Sequence, residues 1–349
     1  MEALEGVRGH ETVARLLAGT DAFLFDCDGV LWQGDTPLPG AAAAVMHLRA
    51  QGKRVFFVTN NSTQSRAALL SKFRRIGIAA QAEEVLSSAY AAALLLQRCL
   101  PPGRQAYVVG EQGICDELRL AGVPFCGGPS DCGLEVMQQQ HCGIAIAGAD
   151  DKRSAEAEAE ADAQAQPVQQ VQVQVQVQVE VSRVENVGAV VVGLDRRLNY
   201  WKLQRAQLCL QDPAVVFVAT NYDATAHLTS GTLWAGAGAV VAAVAAASGR
   251  TPTVAGKPSA TLLESLLLRH PELHRDRMVM VGDRLDTDIA FGANNGLQTL
   301  LTLSGVTSRE QLQAAASGAT ASSLCPDYVC ESIASLLPTA AEAAEAAEE

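Results

Sequence analysis

Basic side chains are few in this chain of 349 residues. Lysine and arginine together number 26, against 38 aspartates and glutamates, which gives a formal net charge of −12. A protein that binds nucleic acid normally presents a basic face, so this balance argues against that class of function. An acidic protein also repels phosphorylated molecules at long range. Any phosphate site in this chain therefore needs local cations.

Long apolar runs are missing as well. A membrane-spanning helix needs at least about 18 apolar residues, and the nearest candidate, Ala235 to Ala247, is shorter and alanine-rich, which is typical of a packed helix. The stretch from Met1 to Thr20 has no apolar segment of signal-peptide length, and its glutamates are unusual for a transit peptide. We therefore expect no membrane partner and a cytoplasmic location. A chloroplast location is the alternative if the N-terminus is incomplete.

Cysteine pairs of the zinc-binding type are also absent. The chain has 9 cysteines, an odd number, and none of them forms a C-x2-C pair. Reduced thiols in an intracellular compartment are the simplest account of this usage. The hydrophobic fraction of 48% and the charged fraction of 18% indicate a globular protein, and the length suits two domains with a sizeable core.

The chain does contain an apolar run that ends in two closely spaced aspartates, Asp26 and Asp28, followed by Gly29. Side chains alternate faces along a strand, so the two carboxylates point the same way and Cys27 points the opposite way. Two carboxylates on one side of a strand end repel each other unless a cation lies between them, and Mg²⁺ prefers such ligands. By itself the motif also fits a buried strand followed by an acidic turn.

A second predicted strand, Arg54 to Val58, runs into Thr59, Asn60 and Asn61. Small hydroxyl and amide groups at a strand end, just before a helix that begins near Ser65, are suited to hold an oxyanion. An ordinary helix N-cap is the alternative interpretation.

Two further loops complete the pattern. Lys257 lies between a glycine and a proline, which fixes it in a non-helical turn, although such a lysine is often a surface residue. The apolar strand that follows delivers an acidic loop with Asp283, Asp286 and Asp288. In open parallel sheets ligands bind beyond the carboxyl ends of the strands, so these loops can converge on one cleft. Together they supply carboxylates, phosphate donors and a cation, the groups that phosphoryl transfer needs.

The alternation of strands and helices predicts an α/β fold, with a Rossmann-like, doubly wound parallel-sheet core and an inserted α/β cap domain. We expect the core in residues 1–103 and 236–349, the latter ending in an acidic tail, and the cap in residues 104–235. The segment at about 150–182 contains a strict Val/Gln alternation at 171–181. That alternation is a strand pattern, but a dipeptide repeat is better explained as a low-complexity insertion.

The ordered motifs D-C-D-G-V-L-W, V-T-N-N-S, V-V-V-G-L-D, T-N-Y-D, G-K-P-S and G-D-R-L-D-T-D-I resemble those of the haloacid dehalogenase superfamily of phosphatases. The resemblance extends to the eukaryotic branch with a large α/β cap, which includes phosphoglycolate and pyridoxal phosphatases. It covers Asp21 to Ser304, apart from the low-complexity insertion.

The resemblance implies a role for each motif residue. Asp26 is the nucleophile that forms an aspartyl-phosphate, and Asp28 is the general acid and later the base. Mg²⁺ is held by Asp26, by the main-chain carbonyl of Asp28 and by Asp283, with Asp288 in support. Asp286 shares that loop, but the spacing favours Asp288.

The remaining motif residues are implied to bind the substrate. These residues are Thr59, Asn60, Asn61 and Lys257, of which Lys257 binds both the phosphate and the nucleophile. The resemblance also implies a small phosphorylated metabolite as partner and a homodimer formed through the cap.

The expected activity is Mg²⁺-dependent phosphomonoester hydrolysis, with 2-phosphoglycolate as the leading substrate. Family members that act on pyridoxal phosphate resemble one another in a cap histidine at the position of Ala226, which favours phosphoglycolate here. His227 either reaches a substrate carboxylate or is a surface histidine. Alternatives are a pyridoxal phosphate or protein phosphotyrosine phosphatase on the same scaffold. A catalytically dead interaction protein would need a lost motif residue.

Overall fold

A computed structural model of the chain describes residues 10–134, 184–229, 232–316 and 325–338. The low-complexity insertion and the acidic tail lie outside these ranges. No helix among the described residues has the length and apolar character that crossing a membrane requires.

The described residues form two parallel sheets and two short hairpins. The strands are β1 (Ala22–Phe25), β2 (Trp32–Gln33), β3 (Thr36–Pro37), β4 (Arg54–Thr59), β5 (Val85–Ser87), β6 (Gln105–Val109), β7 (Phe125–Gly127), β8 (Val187–Val192), β9 (Val216–Ala219), β10 (Thr225–Thr229), β11 (Thr232–Ala235), β12 (Thr253–Val254), β13 (Met278–Gly282), β14 (Gln298–Thr302) and β15 (Tyr328–Cys330). The helices are α1 (His10–Gly19), α2 (Ala41–Ala50), α3 (Arg66–Arg75), α4 (Ser88–Cys99), α5 (Gln112–Leu120), α6 (Tyr200–Leu210), α7 (Ala237–Ser248), α8 (Thr261–Arg269), α9 (Ala290–Asn294) and α10 (Arg309–Ala314).

The first sheet has the strand order β15-β14-β13-β1-β4-β5, and all its pairings are parallel. The second has the order β12-β9-β8-β6-β7 and is also parallel. Both contain central strands that are buried along their whole length, such as β1 and β8. Parallel strands covered on both faces read as continuous apolar runs, which is why the sequence locates them well.

Helix α4 links the two sheets through one apolar cluster. Leu96 of α4 is buried in the same cluster as Phe56 of the first sheet and Val108 of the second. The side chain of Ser87 caps this helix by accepting a hydrogen bond from the Tyr90 main-chain N–H at 3.1 Å. The helix expected near Ser65 is α3, and the Ser65 side chain is its N-cap.

The second sheet extends beyond the boundary expected at residue 235. Val240, Val241 and Val244 of α7 are buried in the apolar cluster of that sheet, and β12 pairs with β9 at its edge. The predicted return to the first domain at residue 236 is therefore too early. The alanine-rich α7 carries no pattern that tells which sheet it covers. We propose a cap that runs from residue 104 to residue 254 and a core on either side of it.

Candidate active site

Three neighbouring strands of the first sheet, β13, β1 and β4, end at the same edge and deliver the predicted motif residues there. Asp26 follows β1 directly, and its main-chain N–H donates to the Val281 carbonyl of β13 at 2.8 Å. Thr59 is the last residue of β4, and Asp283 follows β13. The convergence expected from the parallel topology is therefore what the chain adopts.

Lys257 approaches the same edge from the second sheet. Beyond β12, the Ala255 and Gly256 N–H groups donate to the Ala219 and Thr220 carbonyls at 2.9 and 2.7 Å, and so continue the pairing with β9. Gly256 is needed at this point, because a Cβ there would lie 2.5 Å from Asn60 Oδ1 and 2.6 Å from the Thr220 carbonyl.

The Lys257 ammonium is buried between two carboxylates. Its Nζ lies 2.6 Å from Asp26 Oδ1, 2.6 Å from Asp288 Oδ1 and 2.8 Å from the Val58 carbonyl. Burial acts to lower the pKa of Lys257, but the charges of Asp26 and Asp288 outweigh it, and the pKa lies above its usual range. The pKa of Asp26 is raised by burial despite the attraction of Lys257.

Asp26, Asp283 and Asp288 are all buried, and each offers a carboxylate oxygen within 4.8 Å of the others. Burial, and then the charge of Asp288, raise the pKa of Asp283 to about 7. One oxygen of Asp283, Oδ2, accepts from the Val306 N–H at 2.7 Å. The other, Oδ1, is buried and has no hydrogen-bond partner among the described residues.

This arrangement fits a hard divalent cation. Three carboxylates face one lysine, so the cluster carries surplus negative charge, and the unpaired Asp283 Oδ1 is an oxygen ligand of the type that Mg²⁺ takes. The main chain also packs closely around Asp283: a Cβ at Gly29 or Gly305 would lie 2.3 or 1.9 Å from its Oδ2. Neither glycine position has room for a side chain.

Asp28 lies in the same cavity but apart from the cluster. Its Oδ1 accepts from Trp32 Nε1 at 2.9 Å and lies 4.0 Å from Lys72 Nζ. Cys27, between the two aspartates, is fully buried in the apolar cluster that contains Phe23 and Phe25, whereas Asp26 and Asp28 both line the cavity. This arrangement agrees with the predicted alternation.

The Thr/Asn loop divides into two parts. Thr59 is buried at the cavity, where its Oγ1 accepts from the Asn61 N–H at 3.1 Å, and Asn61 Oδ1 accepts from the Thr63 N–H at 2.9 Å. The Asn60 side chain is used otherwise: Oδ1 accepts from the Lys257 N–H at 2.9 Å, and Nδ2 donates to Asp223 Oδ1 at 2.9 Å. A contact between Asn60 and a phosphoryl group would therefore have to come from its main chain.

These residues line a cavity of about 80 Å³ between the first sheet and the second. Its lining includes Asp26, Asp28, Thr59, Asn60, Asn61, Lys257 and Asp283 from the predicted set, and Leu194, Asn221, Asp223, Thr225 and Ala226 from the second sheet and its hairpin. Asp288 lies behind Lys257, and Asp286 is directed away toward Arg284. The spacing argument that preferred Asp288 over Asp286 therefore agrees with the geometry.

The T-N-Y-D loop after β9 forms the far wall of the cavity. Burial raises the pKa of Asp223 to about 6, although Arg284 and Asn60 both act to lower it. Ala226 lines the cavity, whereas the side chain of His227 lies outside the described atoms.

Trp32 and Arg284 are two residues of the site for which the sequence predicted no role. Trp32 was part of a quoted motif, but only the fold shows that its indole N–H binds Asp28. Arg284 lines the cavity, and its Nη1 donates to Thr225 Oγ1 of β10 at 3.2 Å. The signal in the sequence that could have identified Arg284 is its position as a basic residue directly after Asp283 in an acidic loop.

Two family models match the chain. A haloacid dehalogenase-like hydrolase model matches residues 23–124, and a HAD-hydrolase-like model matches residues 254–336. Phosphoglycolate phosphatase 1A (chloroplastic) from Arabidopsis thaliana is 40% identical over 305 residues, which are 87% of this chain and 74% of that protein. Glycerol-3-phosphate phosphatase from Homo sapiens is 38% identical over 337 residues, or 94% and 93%.

Solved structures agree with this likeness. A p-nitrophenyl phosphatase from Archaeoglobus fulgidus aligns with a TM-score of 0.67 at 27% identity, covering 91% of this chain and 98% of that one. A glycerol phosphate phosphatase from Mycobacterium tuberculosis, in complex with magnesium, aligns with a TM-score of 0.66 at 27% identity, covering 92% and 77%. The predicted α/β fold with an inserted cap is confirmed.

Fold, site and relatives agree, and the chain belongs to the haloacid dehalogenase-like hydrolase family. Within this family it is a phosphoric monoester hydrolase.

Proposed function

We propose that this protein hydrolyses small phosphomonoesters with the help of Mg²⁺, through a phosphoryl group carried on Asp26, and that 2-phosphoglycolate is its preferred substrate. The observation that carries the proposal is the buried contact of Lys257 with Asp26 and Asp288, next to Asp283, at the base of a cavity. A carboxylate that is fixed by a lysine, and that lies beside carboxylates able to hold a divalent cation, is suited to accept a phosphoryl group.

Asp26 and Asp28 can carry out the hydrolysis of a phosphomonoester in two steps. A carboxylate oxygen of Asp26 attacks phosphorus, and the bond from phosphorus to the leaving oxygen breaks as Asp28 donates a proton to that oxygen. A water molecule then attacks the phosphoryl group and gives one proton to Asp28. The bond between phosphorus and the Asp26 oxygen breaks, so that phosphate leaves and the Asp26 carboxylate is restored. The hydrogen bond from Trp32 fixes the Asp28 carboxyl group at the cavity wall.

Other side chains hold the transferred group. Thr59 and the main chain that follows it face the cavity, and Lys257 neutralises charge on the phosphoryl oxygens. All three Lys257 N–H groups have protein partners, so a phosphate contact replaces one of them. Asp26, Asp283 and the Asp28 carbonyl, with Asp288 in support, would hold Mg²⁺, which supplies charge neutralisation and alignment of the phosphoryl group.

The choice of 2-phosphoglycolate rests on two supports. The Arabidopsis thaliana phosphoglycolate phosphatases are 40% identical to this chain. The small Ala226 lines the cavity where a histidine is expected in pyridoxal phosphate phosphatases. Glycerol 3-phosphate is a second candidate, because the human glycerol-3-phosphate phosphatase is 38% identical over 94% of the chain.

A substrate panel tests the proposal. We expect kcat/KM to be highest for 2-phosphoglycolate when it is compared with glycerol 3-phosphate, pyridoxal phosphate, a phosphotyrosine peptide and p-nitrophenyl phosphate. A chelator should abolish turnover of all five, and added Mg²⁺ should restore it. A higher kcat/KM for glycerol 3-phosphate would transfer the proposal to the second candidate, and turnover that survives the chelator would contradict the role of the metal.

The location and the assembly of the protein stay predictions. A cytoplasmic location is expected from the sequence, while the relatives in Arabidopsis thaliana include proteins named as chloroplastic. The homodimer expected through the cap is testable by light scattering of the purified chain.

A further inference from the structure

Arg284 is a cavity residue that the proposed reaction leaves without a role. It follows Asp283 directly, and its side chain is 13% exposed. Within the described lining of the cavity, Lys257 and Arg284 are the basic side chains, while Asp26, Asp28, Asp223 and Asp283 are the acidic ones. A second anionic group on a substrate would meet repulsion from Asp28 and Asp223 unless Arg284 offsets it.

The two basic side chains differ in how their donors are used. The three N–H groups of Lys257 are directed to Asp26, Asp288 and the Val58 carbonyl, at the phosphoryl end of the cavity. A guanidinium has five N–H donors, and the contacts of Arg284 account for three of them. Arg284 therefore has donor capacity that Lys257 lacks.

Asp286 fixes the orientation of the guanidinium. Its carboxylate accepts from Nε at 3.1 Å and from Nη2 at 2.8 Å, so it occupies one edge of the planar group. Nη1 extends to Thr225 Oγ1 on the cap strand β10, at 3.2 Å. Among the described residues, no further acceptor bonds to the guanidinium, so the edge formed by Nη1 and Nη2 can take one. This edge matches the two oxygens of a carboxylate.

The position of Arg284 points to the leaving group. The Asp26 and Lys257 side chains define where phosphorus binds, and the cap loop with Thr225 and Ala226 forms the opposite wall. The Arg284 guanidinium spans from the Asp283 loop to that wall. An alcohol attached to the bound phosphate therefore extends toward it.

We propose that Arg284 binds a carboxylate on the leaving group and so selects phosphomonoesters whose alcohol is an acid. The inference rests on the proposed function and deepens it, because 2-phosphoglycolate has such a carboxylate and glycerol 3-phosphate does not. Asp286 is the positioning residue that orients the guanidinium.

The test compares two esters that differ in one group. 2-Phosphoglycolate has a carboxylate where 2-hydroxyethyl phosphate has a CH₂OH group, and both are assayed with saturating Mg²⁺. Arg284→Gln should lower kcat/KM for 2-phosphoglycolate by roughly 10- to 100-fold, the usual cost of a lost hydrogen bond to a charged group, and should change kcat/KM for 2-hydroxyethyl phosphate only a few-fold. Arg284→Lys, which keeps the charge but not the planar fork, should fall between the parent and Arg284→Gln on 2-phosphoglycolate.

Two further variants sharpen the result. Arg196 binds Glu111 through the same edge, Nε and Nη2, both at 2.7 Å, but lies outside the cavity lining, so Arg196→Gln is the matched control and should leave both rates unchanged. Asp286→Asn should reproduce part of the selective loss, mainly as a higher KM for 2-phosphoglycolate.

Equal losses on both esters in Arg284→Gln would overturn the inference, because they would make Arg284 a link between the Asp283 loop and Thr225 instead of a specificity residue. Unchanged rates on both esters would overturn it as well. Circular dichroism and thermal melting establish that each variant is folded, and Arg284→Lys carries the test if Arg284→Gln is not. A parent protein that hydrolyses no phosphomonoester would overturn the proposed function itself, which is a distinct outcome.

Discussion

Both parallel sheets have a lysine–carboxylate pair buried beyond a strand end, and the two pairs differ in their surroundings. Beyond β8 of the second sheet, Nζ of Lys202 in α6 lies 2.6 Å from Asp195 Oδ2, and the side chains are 1% and 2% exposed. At the edge of the first sheet, Lys257 has the same contact distance to Asp26 but contacts Asp288 as well, with Asp283 close by. The described lining of the cavity includes Asp26, Lys257 and Asp283 but neither Lys202 nor Asp195.

A buried ion pair therefore does not by itself indicate a catalytic site. One lysine and one aspartate cancel each other, and such a pair orients a loop at little net benefit to stability. Around Lys257 the carboxylates outnumber the lysine, and the surplus charge requires a cation or a proton. The surplus negative charge at a cavity distinguishes the Lys257 cluster from the Lys202–Asp195 pair, because both are buried.

The largest effect is expected from the Asp26 carboxylate. Asp26→Asn should lower kcat by a factor on the order of 10⁴ or more, because the amide cannot attack phosphorus. Steady-state kinetics measure the loss, and circular dichroism should show an unchanged fold. Turnover within tenfold of the parent would contradict the covalent mechanism.

Substitution in the Lys202–Asp195 pair should lower the stability of the protein and leave its activity nearly unchanged. Lys202→Met leaves Asp195 buried without its partner, so we expect the free energy of unfolding in urea to fall by about 3–5 kcal/mol. The kcat/KM of the folded variant should stay within a few-fold of the parent, whereas Lys257→Met should lose activity.

The double variant Lys202→Met/Asp195→Leu is the control for this pair. Because it removes both charges, it should recover most of the lost stability. If Lys202→Met alone abolished turnover in folded protein, the second pair would have a catalytic role and the comparison between the sheets would fail.

A change on the cap wall should alter substrate choice without altering the chemistry. Ala226→His should lower kcat/KM for 2-phosphoglycolate and raise it for pyridoxal phosphate, which shifts their ratio by roughly 10- to 100-fold. p-Nitrophenyl phosphate, whose turnover should depend little on contacts with the cap, serves as the reference substrate. A common factor for all three would mean that the loop acts in closure or stability.

The smallest effect concerns protons at the surplus carboxylates. The pKa of Asp283 is raised to about 7 in the fold from its ordinary value of 3.8, mainly by burial. Between these values the folded chain binds more protons than the unfolded one, so without metal its stability should fall as the pH rises through this window. Above it the carboxylate is ionised, and Mg²⁺ should raise the melting temperature by a few degrees more at about pH 8 than at about pH 6.

Asp283→Asn is the control for this proton effect. It should remove most of the pH dependence of the Mg²⁺-induced shift in melting temperature. An equal shift at both pH values in the parent would argue that Asp283 does not bind the metal.

The buried strands and the site residues at their ends could be predicted from the sequence, and the reason is physical. Strands such as β4 and β8 are covered on both faces and read as unbroken apolar runs. The parallel strands β1, β4 and β13 bring Asp26, Thr59 and Asp283 to one edge of the first sheet. The end of the second sheet was missed, because β12 has only two residues and α7 is almost uniformly apolar.

Side-chain partners were harder to predict than positions. Asn60 was expected at the phosphate, but its amide is engaged by Lys257 and Asp223, groups distant in sequence. Arg284 reads as a surface charge until the fold brings Thr225 to it. Such pairings depend on the docking of the two sheets, for which the local sequence has no signal.

The attachment of Lys257 has a consequence for recombining caps and cores among members of this family. The chain stays paired with the cap strand β9 through Gly256, and Lys257 is the next residue. A crossover placed before Thr253 would therefore join a foreign cap to a Lys257 segment whose pairing partner was the β9 strand of the original cap. A chimera joined after Pro258 inherits cap and lysine as one unit, and exchange at that point should preserve turnover while it transfers substrate preference.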